Sequence, residues 1–90
     1  MLVALIAKDK HGALQIRKDN RPAHVEHLKS NEIVRQAGPL LDADGEMCGS
    51  LVIFEVEDVA QVEAWAAIDP YAKAGLFESV EIIPWNRVIG

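Results

Sequence analysis

The segment CGSLVIFEVED, residues 48–58, carries apolar side chains on both of its faces. In a strand successive side chains point to opposite sides, so Leu51 and Ile53 face one way while Val52, Phe54 and Val56 face the other. LVALIA, residues 2–7, is a second short apolar run, ended by Lys8, Asp9 and Lys10, and it also reads as a strand covered on both sides. A sheet built on two such strands needs a layer of cover on each face. That requirement narrows what a chain of 90 residues can become.

The remaining segments supply one layer. Pro22 suits the first turn of a helix, and PAHVEHLKS sets Ala23, His24, His27 and Leu28 at three-to-four spacing on one face. This predicts a helix from Pro22 through Ser30, preceded by a turn of helix near residues 13–18. EIVRQAGPLL returns to strand character, and Pro39, which cannot donate to a ladder, assigns that strand to a sheet edge or to a bulge at Gly38 and Pro39. Asp44 and Gly45 predict a tight hairpin turn. Asp58 stands where an N-cap belongs, ahead of a helix with Val59, Val62, Trp65 and Ala66 in one stripe and Pro70 as its stop. FESVEIIPWNRVIG alternates through Val80 and Ile82 as a last strand, irregular at Pro84.

The resulting order, β-α-β-β-α-β, is the ferredoxin-like pattern, an α+β fold with a four-stranded antiparallel sheet and both helices on one face. No further segment is left to cover the second face. A second copy packed sheet against sheet is the expected cover, giving a homodimer through the sheet face.

Half of the residues are hydrophobic, a high share for a small domain, which agrees with apolar surface turned toward a partner. The net charge of −5, without any cluster of Lys and Arg, argues against nucleic acid and anionic membrane as partners. The single cysteine, Cys48, excludes an internal disulfide and fits a reducing compartment. The apolar N-terminal run is too short for a signal sequence or a membrane span. The expectation is one domain over residues 1–90, cytoplasmic, binding a small molecule.

Candidate chemistry begins with the histidines. His24 and His27 are three apart on a helix, a spacing that suits two ligands of one metal, but no third ligand or HExxH context accompanies them, so no metal is expected. His24 is either a histidine satisfied by a backbone carbonyl at the helix–sheet boundary or one half of a functional pair. His11 and His27 read as solvent-facing. Asp69 precedes Pro70, a common way to stop a helix, yet it stands close to the apolar stripe of Trp65 and Ala66, where a carboxylate needs a donor or a cation. An imidazole would serve, and a carboxylate orients such a ring and fixes its tautomer. Ser50 lacks a nucleophile elbow and is a strand hydroxyl, available to hydrogen-bond a ligand. Gly38 and Pro39 either line a pocket or merely bend their strand. Trp65, Tyr71, Phe77 and Trp85 read mostly as core or interface, with Tyr71 the best candidate for a pocket wall.

RPAHVEHL, AGPLLDADGEMCGSLVIFEVED and DPYAKAGLFESVEIIPW, in this order and at these distances, resemble the YCII-related family of small bacterial proteins over nearly the whole chain. The resemblance implies a ferredoxin-like fold forming a dimeric α+β barrel, similar in architecture to muconolactone isomerase-like proteins. It also implies a histidine and an aspartate in one pocket: the family's R-P-x-H element falls on His24 and its D-P-Y/F element on Asp69. Gly38, Pro39, Ser50 and Tyr71 are then pocket neighbours, and Arg21 an anion-binding partner. One branch of the family dechlorinates a chlorinated trihydroxybenzene.

Two kinds of function fit these residues. The first is an enzyme without a cofactor, using a His24–Asp69 dyad for general acid/base chemistry on a small aromatic or keto/enol anion. The alternative is a non-catalytic dimeric protein that binds a metabolite or serves as an accessory subunit.

Overall fold

The computed structural model describes residues 1–90. Its elements in chain order are β1 (Leu2–Asp9), α1 (Leu14–Lys29), β2 (Val34–Leu41), β3 (Met47–Glu55), α2 (Val59–Ala67), α3 (Pro70–Lys73) and β4 (Phe77–Trp85). The strands form one antiparallel sheet in the order β2-β3-β1-β4, so the two strands with apolar residues on both faces are the central ones. This is the ferredoxin-like α+β architecture. No helix is long and apolar enough to cross a membrane.

One face of the sheet is covered within the chain. Val3, Leu5 and Ala7 of β1 and Val52 and Phe54 of β3 pack with Val56 against Val62 and Trp65 of α2, forming the main core cluster. Asp58 caps α2 as its sequence position predicts: its side chain accepts from the Ala60 N–H at 2.9 Å, and Gln61 reaches back to the Asp58 N–H at 3.1 Å. The opposite face keeps Leu51, Ile83 and Trp85 between 38% and 43% exposed. A smaller cluster of Ala13, Tyr71 and Leu76 closes the end of the fold beside α3.

Four local expectations change. Helix α1 does not begin at Pro22; it runs without interruption from Leu14 with Pro22 inside it. A proline there removes one backbone hydrogen bond at a cost of roughly 3 kcal/mol, but Arg17 before it and His24 after it are both buried on the same side of the fold and hold the two halves together. Pro70 does not simply end a helix: α2 stops at Ala67, and Pro70 opens the one-turn α3 with Asp69 as its N-cap. Ala23, placed on the inward face by spacing, is exposed. The last strand continues through Pro84, and its register shift lies at the other end, opposite Lys8 and Asp9. β4 is an edge strand, which tolerates a proline that cannot donate.

Pro39 is likewise on an edge, as expected, since β2 is outermost; the register shifts of β2 fall near its two ends rather than at Gly38 and Pro39. Gly45 has φ 79° in the β2–β3 hairpin, a conformation open to glycine. Gly49 is needed for a different reason. A Cβ there would collide with the Ala7 carbonyl oxygen of the neighbouring strand, so only glycine lets β3 lie this close to β1 beside Ser50.

Candidate functional site

Helix α1 crosses the half of the sheet formed by β2 and β3, and the gap between them is a cavity of about 240 Å³. Arg17, Arg21 and His24 of α1 line one side; Gly38, Pro39 and Ser50 line the other, with Tyr71 at the end. All five positions expected to contact a ligand therefore meet in one place, together with His24. The volume lies below the roughly 300–1,000 Å³ of drug-sized sites, which points to a small ligand.

His24 and Asp69 are in contact. Nδ1 of His24 lies 2.8 Å from Oδ1 of Asp69, and both side chains are almost fully buried. The same carboxylate oxygen accepts the Tyr71 N–H at 3.0 Å, the bond that caps α3. The two readings of Asp69 are thus both true. Because it stops one helix and starts the next, its carboxylate is fixed in direction, and that direction is toward His24. An ionised carboxylate only accepts, so it holds the hydrogen on Nδ1 and leaves Nε2 with a lone pair. Nε2 has no protein hydrogen-bond partner and is not sealed from solvent.

The ring of His24 is held from a second side. It stacks on Tyr71 with centroids 3.9 Å apart and planes 12° from parallel, and it meets Trp65 edge-on at 6.3 Å. Tyr71 in turn lies 4.6 Å below the guanidinium carbon of Arg17. Burial pushes the Tyr71 phenol up from its ordinary pKa, against the pull of the Arg17 and Arg21 charges.

Arg17 was not singled out by spacing, and it is the most heavily bonded side chain in the site. Nε donates to Asp9 Oδ2 at 2.7 Å and Nη2 to Asp9 Oδ1 at 2.8 Å, a two-pronged pair between side chains only 2% and 6% exposed. Nη2 also donates to Ser50 Oγ at 2.9 Å. Burial works against the Arg17 charge, but the hydrogen bond and charge of Asp9 outweigh it and raise the guanidinium's pKa. The signal was present in the sequence: Arg17, Arg21 and His24 stand at i, i+4 and i+7, one helical face. It was lost by starting the helix at Pro22, which cuts Arg17 off from that face.

His27 also departs from expectation. It is half-buried rather than solvent-facing, its Nε2 donating to the Trp65 carbonyl at 3.0 Å and its ring stacked on Trp65 at 4.4 Å. His24 and His27 therefore turn to different partners and share no metal site; no group of three potential ligands clusters anywhere in the chain. His11 is exposed, as expected.

Comparison with known proteins gives a consistent result. The YCII-related domain matches residues 1–86. Protein YciI of Escherichia coli is 35% identical over 97 aligned positions, covering 98% of this chain and 99% of that protein. An uncharacterized protein of Haemophilus influenzae is 31% identical with the same coverage. Among solved structures, 5-chloro-2-hydroxyhydroquinone dehydrochlorinase from Burkholderia phenoliruptrix, in complex with 2,5-dihydroxybenzoquinone, is 36% identical with a TM-score of 0.89, over 96% of this chain and 94% of that one. SnoaB, a cofactor-independent oxygenase from Streptomyces nogalater, shares the fold at 12% identity and a TM-score of 0.68, over 98% and 95%. The chain belongs to the YCII-related family.

Proposed function

We propose that this protein is a small-molecule enzyme in which His24 acts as general acid/base and Asp69 orients it. The observation that carries this reading is the hydrogen bond of 2.8 Å between the buried Asp69 and His24, which lines a small cavity with its Nε2 left unbonded. A base so held is positioned to take a proton from a bound hydroxyl or from a carbon next to a carbonyl, and to return it elsewhere, using positioning and proton transfer alone. Arg21 and Ser50 favour an oxygen anion as the product of that step. The substrate class is a small aromatic or keto/enol acid, a class to which the ligand named for the similar dehydrochlorinase belongs.

The test is direct. The protein is incubated with 5-chloro-2-hydroxyhydroquinone and with enolisable keto acids in D2O, and chloride release and deuterium uptake are followed. Turnover that disappears in His24→Ala and falls in Asp69→Asn supports the reading. Turnover unchanged in both variants, or ligand recovered unmodified and unexchanged from the wild type, overturns it; the second result is what a metabolite-binding module gives.

The protein acts as a homodimer in this proposal. Leu51, Ile83 and Trp85 form an exposed apolar patch on the open sheet face, with Ala4, Ile6 and Ile53 of the central strands among them. A second copy of the same face would cover these apolar side chains. A monomer by light scattering at micromolar concentration would refute it.

A further inference from the structure

The pairing of β2 with β3 breaks at one place beside their hairpin. Leu40 pairs with Gly49 but Leu41 pairs with Met47, which leaves Cys48 as an extra residue, a β-bulge. In an unbroken ladder Cys48 would stand opposite Leu41. The bulge gives that position to Met47, a longer side chain. Leu41 alternates with Ala37 and Pro39 onto the helix-facing side of β2, and Met47 accordingly lines the cavity with Ser50 and Val52 instead of joining the open face.

Met47 also borders a second space. A cleft of about 430 Å³ lies between the β1–α1 loop and the hairpin, with Lys10, Asp42, Glu46 and Glu78 among its walls. No other residue of the cavity lines this cleft. The partition has one further part, the Arg17–Asp9 pair, in which Arg17 lines the cavity and Asp9 lines the cleft.

The two parts of the partition are held with different firmness. Arg17 and Asp9 are joined by hydrogen bonds of 2.7 and 2.8 Å and are almost fully buried. Met47 is half-buried, belongs to neither core cluster and has only a thioether as its polar group. It is the part that can be displaced or cut back, since an unbranched side chain fills space without being locked into it.

Size shows what the partition does. The cavity alone, at about 240 Å³, takes a small ligand, whereas cavity and cleft together fall within the roughly 300–1,000 Å³ of larger ligand sites. With Asp9 neutralised by Arg17, the carboxylates of Asp42, Glu46 and Glu78 outnumber the Lys10 charge around the cleft, which disfavours an anionic substituent there.

We infer that Met47 is a specificity-determining residue: it closes the cavity toward the cleft and limits the ligand to a compact molecule. An uncharged side chain on the ligand enters the cleft only by displacing it. The inference rests on the cavity being the ligand site proposed above, and it gives Met47 no part in proton transfer.

The test compares 2,5-dihydroxybenzoquinone with its 3-(6-hydroxyhexyl) derivative by calorimetric titration. The wild type binds the unsubstituted ring at least about tenfold more tightly, the scale of forcing methylenes into an occupied space. Met47→Ala brings the two affinities within about threefold of each other, while Met47→Leu, of similar volume, keeps the wild-type preference. Should Met47→Ala not fold, Met47→Val shifts the preference in the same direction. Equal binding of both molecules by the wild type, a preference unchanged by shortening Met47, or a preference lost as fully in Met47→Leu overturns the inference. No binding of either quinone at millimolar concentration overturns both this inference and the substrate class proposed above. Turnover that depends on His24, beside a length preference indifferent to residue 47, sinks this inference and leaves the catalytic reading standing. A preference governed by residue 47 without turnover does the reverse.

Discussion

His24 and His27 stand three residues apart on α1, and they teach how little a histidine's position alone says about its use. Each ring is stacked on an aromatic side chain and each has one nitrogen bonded to the protein. The difference lies in the partner. His27 gives its Nε2 hydrogen to a backbone carbonyl, a neutral acceptor that offers an added positive charge only a dipole. His24 faces a carboxylate, which stabilises an imidazolium when a proton arrives, and its far nitrogen opens on a cavity. One ring is cemented into a helix–helix contact. The other is equipped to exchange a proton.

The widest separation between the two should appear in turnover. His24→Ala is expected to cost about 10²–10⁴-fold in kcat, while His27→Ala leaves kcat within about twofold once the remaining folded fraction is accounted for. Equal losses in steady-state rates would erase the functional distinction. Next in size is the support beneath His24. Arg17→Met leaves Asp9 buried without its cation, and breaking such a pair costs about 3–5 kcal/mol, read as a lower midpoint in urea denaturation. The double variant Arg17→Met with Asp9→Leu should recover most of that loss, and no recovery would mean that the pair is not what holds the site. For His27 the expected loss is in stability, about 1–2 kcal/mol for a hydrogen bond and a stacked ring. A smaller loss in His27→Ala than in an exposed His11→Ala control would show the Trp65 contact to be incidental.

The smallest effect is the titration of the shelf on which His24 rests. Tyr71 is the only tyrosine, so phenolate absorbance reports it alone. Burial raises its pKa, and the midpoint should lie above the ordinary value of about 10. The sign for stability follows: the unfolded chain ionises first, so the contribution of the neutral phenol is intact below about pH 10 and is lost as pH rises through the folded-state pKa. Tyr71→Phe should show a flatter alkaline fall in melting temperature. A midpoint at or below 10 would mean that the ring is more open to water, or more dominated by the two arginines, than its packing under His24 implies.

Much of the site was legible in the chain, though not for one reason. His24 and Asp69 came from motifs, and Ser50, Gly38, Pro39 and Tyr71 from the character of their segments; the structure gathers all of them around one cavity. Arg17 and Asp9 were missed because a proline was read as a boundary. The rule is sound for an isolated helix, where nothing repays the lost hydrogen bond, but here Arg17 and His24 are anchored on either side of Pro22. His27 was misjudged because helical spacing gives the face a side chain shares, and not the depth of the neighbour that meets it.

By itself the sequence determined the β-α-β-β-α-β order, the cover that two apolar strands need on both faces, and the hairpin turn and the Asp58 cap, since these follow from periodicity and backbone chemistry over a few neighbouring residues. It also placed a carboxylate where a helix runs out. Only the tertiary structure decided that this carboxylate meets an imidazole 45 positions away, and that Arg17 spends its donors on Asp9 and Ser50. Which donor finds which acceptor depends on distances of a few tenths of an ångström between separate elements, and those are set by packing that no local pattern encodes.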